Sequence, residues 1–123
     1  MATVYLAGGT KSGWQQRVID ACPQHTFINP CDRNGVALLG EREYTAWDLA
    51  GVKQADIVFA YMESDNPSGI GMAAEMGYGH GLGKTVVFIN ESANRYFKFV
   101  EAMSDVCFPT LNSGILFLQS VTW

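Results

Sequence analysis

Asp56-Ile-Val-Phe-Ala-Tyr-Met62, the polar segment Glu63 to Ser68, Gly69-Ile-Gly-Met-Ala-Ala-Glu75-Met-Gly77-Tyr-Gly-His-Gly-Leu-Gly83-Lys84 and Thr85-Val-Val-Phe-Ile89 follow one another without a gap. The first run is continuously apolar and long enough to be a strand buried on both faces. The glycine-rich run has helical period, which predicts a helix over about Gly71 to Leu82. The last run is β-branched and aromatic, which predicts a second buried strand. A strand, a helix and a strand in this order form a crossover unit, whose parallel strands connect right-handedly.

Working outward, the same alternation continues in both directions. Thr3 to Ala7 reads as a strand ended by Gly8-Gly9, and Trp14 to Ala21 as a helix closed by Pro23. Ser12 is expected to cap that helix in a capping box with Gln15. Thr26 to Asn29 reads as a strand stopped by Pro30, and Cys31 to Gly40 as loop. Glu41 to Ala55 reads as a helix with Ala46, Leu49, Ala50 and Val52 near one face. Beyond Ile89, Ser92 is expected to cap a helix running to Met103, and Val106 to Phe108 reads as a short last strand. Leu111 to Trp123 is apolar and has no clear pattern. The expected fold is one α/β domain over residues 1–123, flavodoxin-like in three layers, with a five-stranded parallel sheet in the order 2-1-3-4-5. In such a sheet ligands sit beyond the carboxyl ends of the strands, near the reversal of strand order. The loops after the first and third strands lie over central neighbours, so Gly8 to Gly13 and Gly69 to Glu75 are expected to line one site.

Composition narrows the partners. Only 8 of 123 residues are Lys or Arg and the formal net charge is -4, with no basic run, which argues against a nucleic acid polymer. No apolar stretch approaches the roughly 18 residues of a membrane span. The opening Met-Ala-Thr-Val-Tyr-Leu-Ala lacks the charged region and cleavage site of a signal peptide. Cys22, Cys31 and Cys107 are odd in number and unpaired in spacing, which suits free thiols in a cytoplasmic protein, in or near the core. His25 and His80 share no metal-ligand spacing with each other or with a cysteine, so no metal is expected.

Three side chains stand out as candidates for chemistry. Glu75 is a lone carboxylate in an apolar, glycine-rich helix, where small neighbours let a ligand approach closely. Such a group can serve as nucleophile or base, or as a first-turn charge that complements the helix dipole. Asp48 lies mid-helix between Trp47 and Leu49, an unfavourable place for a merely solvated aspartate. Two carboxylates in one domain can divide nucleophile and acid roles when their surroundings separate their proton affinities. Tyr5 is either a core aromatic or a hydroxyl aimed at a carboxylate from the strand's end. The loop Gly8-Gly9-Thr10-Lys11-Ser12-Gly13 opens a helix and can hold a phosphate or a sugar oxygen through its N–H groups, or is a tight turn. It lacks the offset of a P-loop. Gly69-x-Gly71-x-x-Ala74, with Glu91 downstream, has the letters of a dinucleotide fingerprint, but a polar loop separates it from its strand.

Four stretches together resemble the nucleoside 2-deoxyribosyltransferase family, in a superfamily with nucleoside 5'-monophosphate N-glycosidases. They are Val4-Tyr5-Leu-Ala-Gly8, Asn29-Pro30-Cys31-Asp32, Trp47-Asp48-Leu49-Ala-Gly-Val52-Lys-Gln-Ala55-Asp56 and Glu75-Met-Gly77-Tyr78 followed by Gly83-Lys84. The resemblance implies transfer of 2-deoxyribose between nucleobases through a covalent glycosyl-glutamate. Glu75 would be the nucleophile, Asp48 would protonate the departing base, and Tyr5 would orient Glu75. Asn34 would contact the base, and Gly8, Gly9, Gly69, Gly71 and Met72, in the two stretches expected to line the site, are the further expected contacts to substrate, which is a nucleoside or nucleotide together with a free nucleobase. No cofactor is implied, and a homo-oligomer is, with the apolar end Gly114 to Trp123 either at its interface or in the core. The sequence departs from the family where an aspartate often stands six residues before the nucleophile, a place held here by Gly69. Asp65 is the nearest carboxylate upstream, and Gly79 replaces the alanine after Gly-Tyr. Two further readings stay open: hydrolysis of a nucleoside or its 5'-monophosphate, with Lys11 and the first glycine loop on the phosphate, and a non-catalytic nucleotide-binding module.

Overall fold

The computed structural model describes residues 1–34, 36 and 39–122. Five strands form one sheet: β1 (Thr3–Gly8), β2 (Thr26–Ile28), β3 (Ile57–Met62), β4 (Thr85–Asn90) and β5 (Val106–Phe108). All neighbours run parallel and the order is β2-β1-β3-β4-β5, as the alternation of elements predicts. The helices are α1 (Trp14–Ala21), α2 (Glu41–Gln54), α3 (Ile70–Gly81), α4 (Lys98–Glu101) and α5 (Leu111–Ser120).

The period of two along each strand divides the core. Val4, Leu6, Ile57, Phe59, Val87 and Ile89 pack on the face covered by α1 and α5. Tyr5, Ala7, Val58, Ala60, Val86 and Phe88 pack on the other, against Val52 and Ala55 at the end of α2 and Met72 and Met76 of α3. A one-residue slip of β1 would move Tyr5 to the wrong side of the sheet. The register is pinned at the strand starts by side chains. Asp56 Oδ2 accepts from Thr3 N at 2.9 Å, and Asp105 Oδ2 accepts from Val86 N at 2.7 Å. On the α1/α5 face, buried His25 ties both ends of the chain: its Nδ1 accepts from Ala2 N at 3.1 Å and its Nε2 donates to Leu118 O at 2.9 Å.

Several local expectations are corrected. Ser12 does not cap α1; Gly13 stands at the cap in a left-handed conformation. Ser12 Oγ instead donates to Glu63 Oε1 at 3.0 Å, and Gln15 Nε2 donates to Gly9 O at 2.9 Å. In α2, Ala46 and Ala50 face solvent, while Gly51 and Val52 are buried. The segment after Pro30 contains a 3-10 turn, Pro30–Arg33, started by Asn29. After β4 it is Asn94, not Ser92, that caps the next turn, Arg95–Phe97, and α4 is a single turn. Cys107 is exposed, whereas Cys22 lies in the core. The unpatterned end becomes α5, capped by a Thr110–Ser113 box, with Ile115 and Leu118 in the core and Leu116 exposed. Trp123 lies outside the described residues. Among the described residues no helix is long and apolar enough to cross a membrane.

Candidate active site

Tyr5, Asp48 and Glu75 converge on the α2/α3 face. β1 and β3 are the strands between which the order reverses, and α3 follows β3 through the loop Glu63 to Ser68. Gly69 starts α3 with φ 75°. A Cβ there would stand 2.7 Å from Met62 Sδ and 2.8 Å from Phe97 Cζ, so this left-handed position favours glycine. The helix then carries Glu75 inward on the same side as Met72 and Met76. There Tyr5 Oη donates to Glu75 Oε2 at 2.6 Å. Gly51 of α2 makes room for this tyrosine, since a Cβ on it would lie 2.9 Å from two atoms of the ring.

Electrostatics mark Glu75 as unusual. Burial pushes its carboxyl up to about 7; the Tyr5 hydroxyl opposes the rise and the nearby Asp48 carboxylate adds to it. Tyr5 itself is held protonated, first by burial and then by the charge of Glu75. Asp48 is paired with a residue that the sequence did not single out. Arg33, from the 3-10 turn after β2, grips it with Nε on Oδ1 at 3.2 Å and Nη2 on Oδ2 at 2.9 Å. This bond to Asp48 raises the proton affinity of Arg33 further. Its third contact is Nη1 to Asn34 Oδ1 at 2.7 Å, and its guanidinium lies 4.5 Å over the Tyr44 ring.

A cavity of about 640 Å³ opens at the carboxyl ends of β1, β2 and β3. The loop Gly8 to Ser12 forms one wall, and Glu63, Asp65, Asn66 and Pro67 form another. Trp14 Nε1 and Gln15 Nε2 both donate to Gly9 O and so hold the first loop in place. Arg33 also lines the cavity, which Tyr5, Asp48 and Glu75 do not. Arg33 is therefore the residue common to the open space and the carboxylate pair.

The expected substrate contacts divide accordingly. Gly8 and Gly9 line the cavity, as does Asp65, whereas Gly69 is buried behind the α3 start and Met72 lies in the core. Gly71 and Asn34 are exposed, the latter held by Arg33. Glu91 serves the fold: its two oxygens accept from Tyr61 Oη at 2.6 Å and from Leu111 N at the start of α5 at 2.8 Å. Among the described residues no group of three His, Cys, Asp or Glu is placed to hold a metal.

Residues 1–93 match the model of a family described as nucleoside 2-deoxyribosyltransferase like. The chain belongs to that family. No curated protein matches it in sequence. Among solved structures, it is similar to a 2-deoxyribosyltransferase from Bacillus psychrosaccharolyticus, with a TM-score of 0.74 at 22% identity over 99% of this chain and 93% of the other. It is also similar to a CMP N-glycosidase of Clostridium botulinum, with a TM-score of 0.64 at 16% identity over 94% of this chain and 96% of the other. At these identities the likeness is one of fold. The nucleoside 2-deoxyribosyltransferase-like match ends just before the 3-10 turn at Arg95, whereas the fold of the first relative extends over nearly the whole chain.

Proposed function

We propose that the protein transfers 2-deoxyribose between nucleobases, with Glu75 as the nucleophile that forms a covalent glycosyl-enzyme. The observation that carries this reading is the buried Tyr5–Glu75 hydrogen bond beside Asp48, at the reversal point of a parallel sheet. Tyr5 fixes the carboxylate's orientation. A proton affinity near neutrality lets Glu75 lose its proton at working pH while remaining a strong enough base to attack carbon. The oxygen of Glu75 bonds the anomeric carbon as the C–N bond breaks, and the bonding electrons leave with the base. A second base then displaces Glu75 from the same carbon, and its N–H proton passes to the departed base. Two displacements retain configuration.

A second reading is hydrolysis of a nucleoside 5'-monophosphate. Lys11 and the Gly8 to Ser12 loop line the cavity and favour it, while Glu63 and Asp65 in the same walls oppose an anion.

One experiment tests both. The protein is incubated with a 2'-deoxynucleoside, with and without a different free base, and again with the 5'-monophosphate. A new deoxynucleoside that forms only with added base supports transfer. Base released without an acceptor supports hydrolysis instead. No product in any mixture overturns both readings and favours a binding module.

A further inference from the structure

Both oxygens of Asp48 are taken by one guanidinium, at 3.2 and 2.9 Å. A fork of two N–H bonds from one arginine ties the carboxylate and the guanidinium into a single rigid unit, and the arginine stays charged. In this arrangement Asp48 anchors Arg33, and the cation it anchors lines the cavity, which Asp48 itself does not. Asp48 and Arg33 are 14% and 15% exposed, so the pair is shielded from bulk water. The plane of Arg33 is fixed by Asp48, by Asn34 and by the Tyr44 ring. Among the described residues its side chain makes three hydrogen bonds, and an arginine has five N–H donors.

We propose that Arg33 is a catalytic residue that donates to the carbonyl oxygen beside the glycosidic nitrogen of a pyrimidine, so that the base leaves as an anion, with Asp48 as the residue that positions Arg33. This rests on the glycosyl-transfer reading and specifies its substrates as pyrimidine nucleosides. As the bond from Glu75 to the anomeric carbon forms, the bond to N1 breaks and its electron pair spreads over N1 and the 2-carbonyl oxygen, where Arg33 meets it. The step requires no proton. When the N–H of a second base, or water, displaces Glu75, its proton passes to the released base and the Glu75 carboxylate is restored. Fixed donors aimed at developing charge act most strongly where water is excluded.

The test compares kcat/KM for wild type, Arg33→Met and Arg33→Lys on 2'-deoxyuridine, 5-fluoro-2'-deoxyuridine and 2'-deoxyadenosine, with thermal unfolding as a check on folding. Fluorine stabilises the departing anion, so the fluorinated substrate needs the arginine less. Arg33→Met should lose about 10²- to 10³-fold on 2'-deoxyuridine, and clearly less on its fluoro analogue. Arg33→Lys, which keeps the charge without the fork, should fall between, and it serves alone if the methionine variant does not fold. An equal loss on all three substrates overturns the proposal while leaving glycosyl transfer intact, because a structural role would not discriminate among leaving groups. A wild type active only on the purine overturns it as well. A wild type inert toward every nucleoside removes the glycosyl-transfer reading and this proposal together.

Discussion

Tyr5 and Glu75, 70 positions apart in the chain, share a 2.6 Å hydrogen bond inside the protein. The strand supplies the hydroxyl and the helix supplies the carboxylate. Neither can turn away without disturbing the packed face of the sheet.

Replacement of Glu75 by glutamine should abolish turnover while the protein stays folded. The proton affinity of Glu75 is raised on folding, so the native state holds a proton that the unfolded chain releases. Its stabilising contribution is therefore complete below the unfolded carboxyl range, near pH 4.5, and is lost as pH rises through about 7. Glu75→Gln should be more stable than wild type at pH 8 and should lack this fall in stability. Thermal unfolding from pH 5 to 8 checks both points; a parallel decline in the two proteins would contradict the assignment.

Activity should rise with pH through about 7 and then level, because Glu75, as the proposed nucleophile, must be ionised. Tyr5→Phe removes a hydrogen bond that favours the charged form of Glu75. Its pH–rate curve should move to higher pH, with a loss of about 10- to 100-fold at neutrality, since one charge-assisted hydrogen bond is worth about 1.5–3 kcal/mol. A curve that scales down without shifting would place Tyr5 outside the control of Glu75.

Gly51→Ala introduces a methyl group 2.9 Å from the Tyr5 ring. The expected cost is about 1–3 kcal/mol of stability, as for other overpacked cores, together with lower activity as the tyrosine is displaced. Adding Tyr5→Phe to this variant should then cost less activity than it does in wild type. Additive losses in this double-mutant cycle would separate the glycine from the catalytic geometry.

His25→Leu should leave kcat unchanged and lower stability by about 1–3 kcal/mol, because Ala2 N and Leu118 O lose their buried partner. Denaturant titration and a rate measurement on the same preparation decide this.

Much of the architecture is legible in the residues. Asp56 to Met62 and Thr85 to Ile89 are too apolar to be anything but central strands, and the glycines after β1 and before α3 mark the loops above the switch in order. Tyr5, Asp48 and Glu75 attract notice because each is a polar group in an apolar setting. Arg33 escapes for the opposite reason. It sits among polar loop residues, and its partner is 15 positions away in a helix, so nothing local distinguishes it from a solvated cation. The expected contacts at Gly69 and Met72 share a segment with Glu75, but a helix turns its residues to different sides: both meet the core. Helix α5 is obscured because exposed Leu116 and half-buried Phe117 blur its inward stripe of Leu111, Ile115 and Leu118.

The two working parts of the site hang from unequal supports. Glu75 and Tyr5 belong to the sheet's interior and the helix packed on it, whereas Arg33 and Asn34 come from a short turn after the edge strand β2, which is three residues long. Apart from buried Pro30, the side chains of that turn lie outside the two core clusters. Over evolutionary time the packing of the whole sheet would hold the proposed nucleophile in place, while changes around Arg33 would retune which base departs without refolding the domain. For an engineer, the same asymmetry makes the turn the place to begin a library.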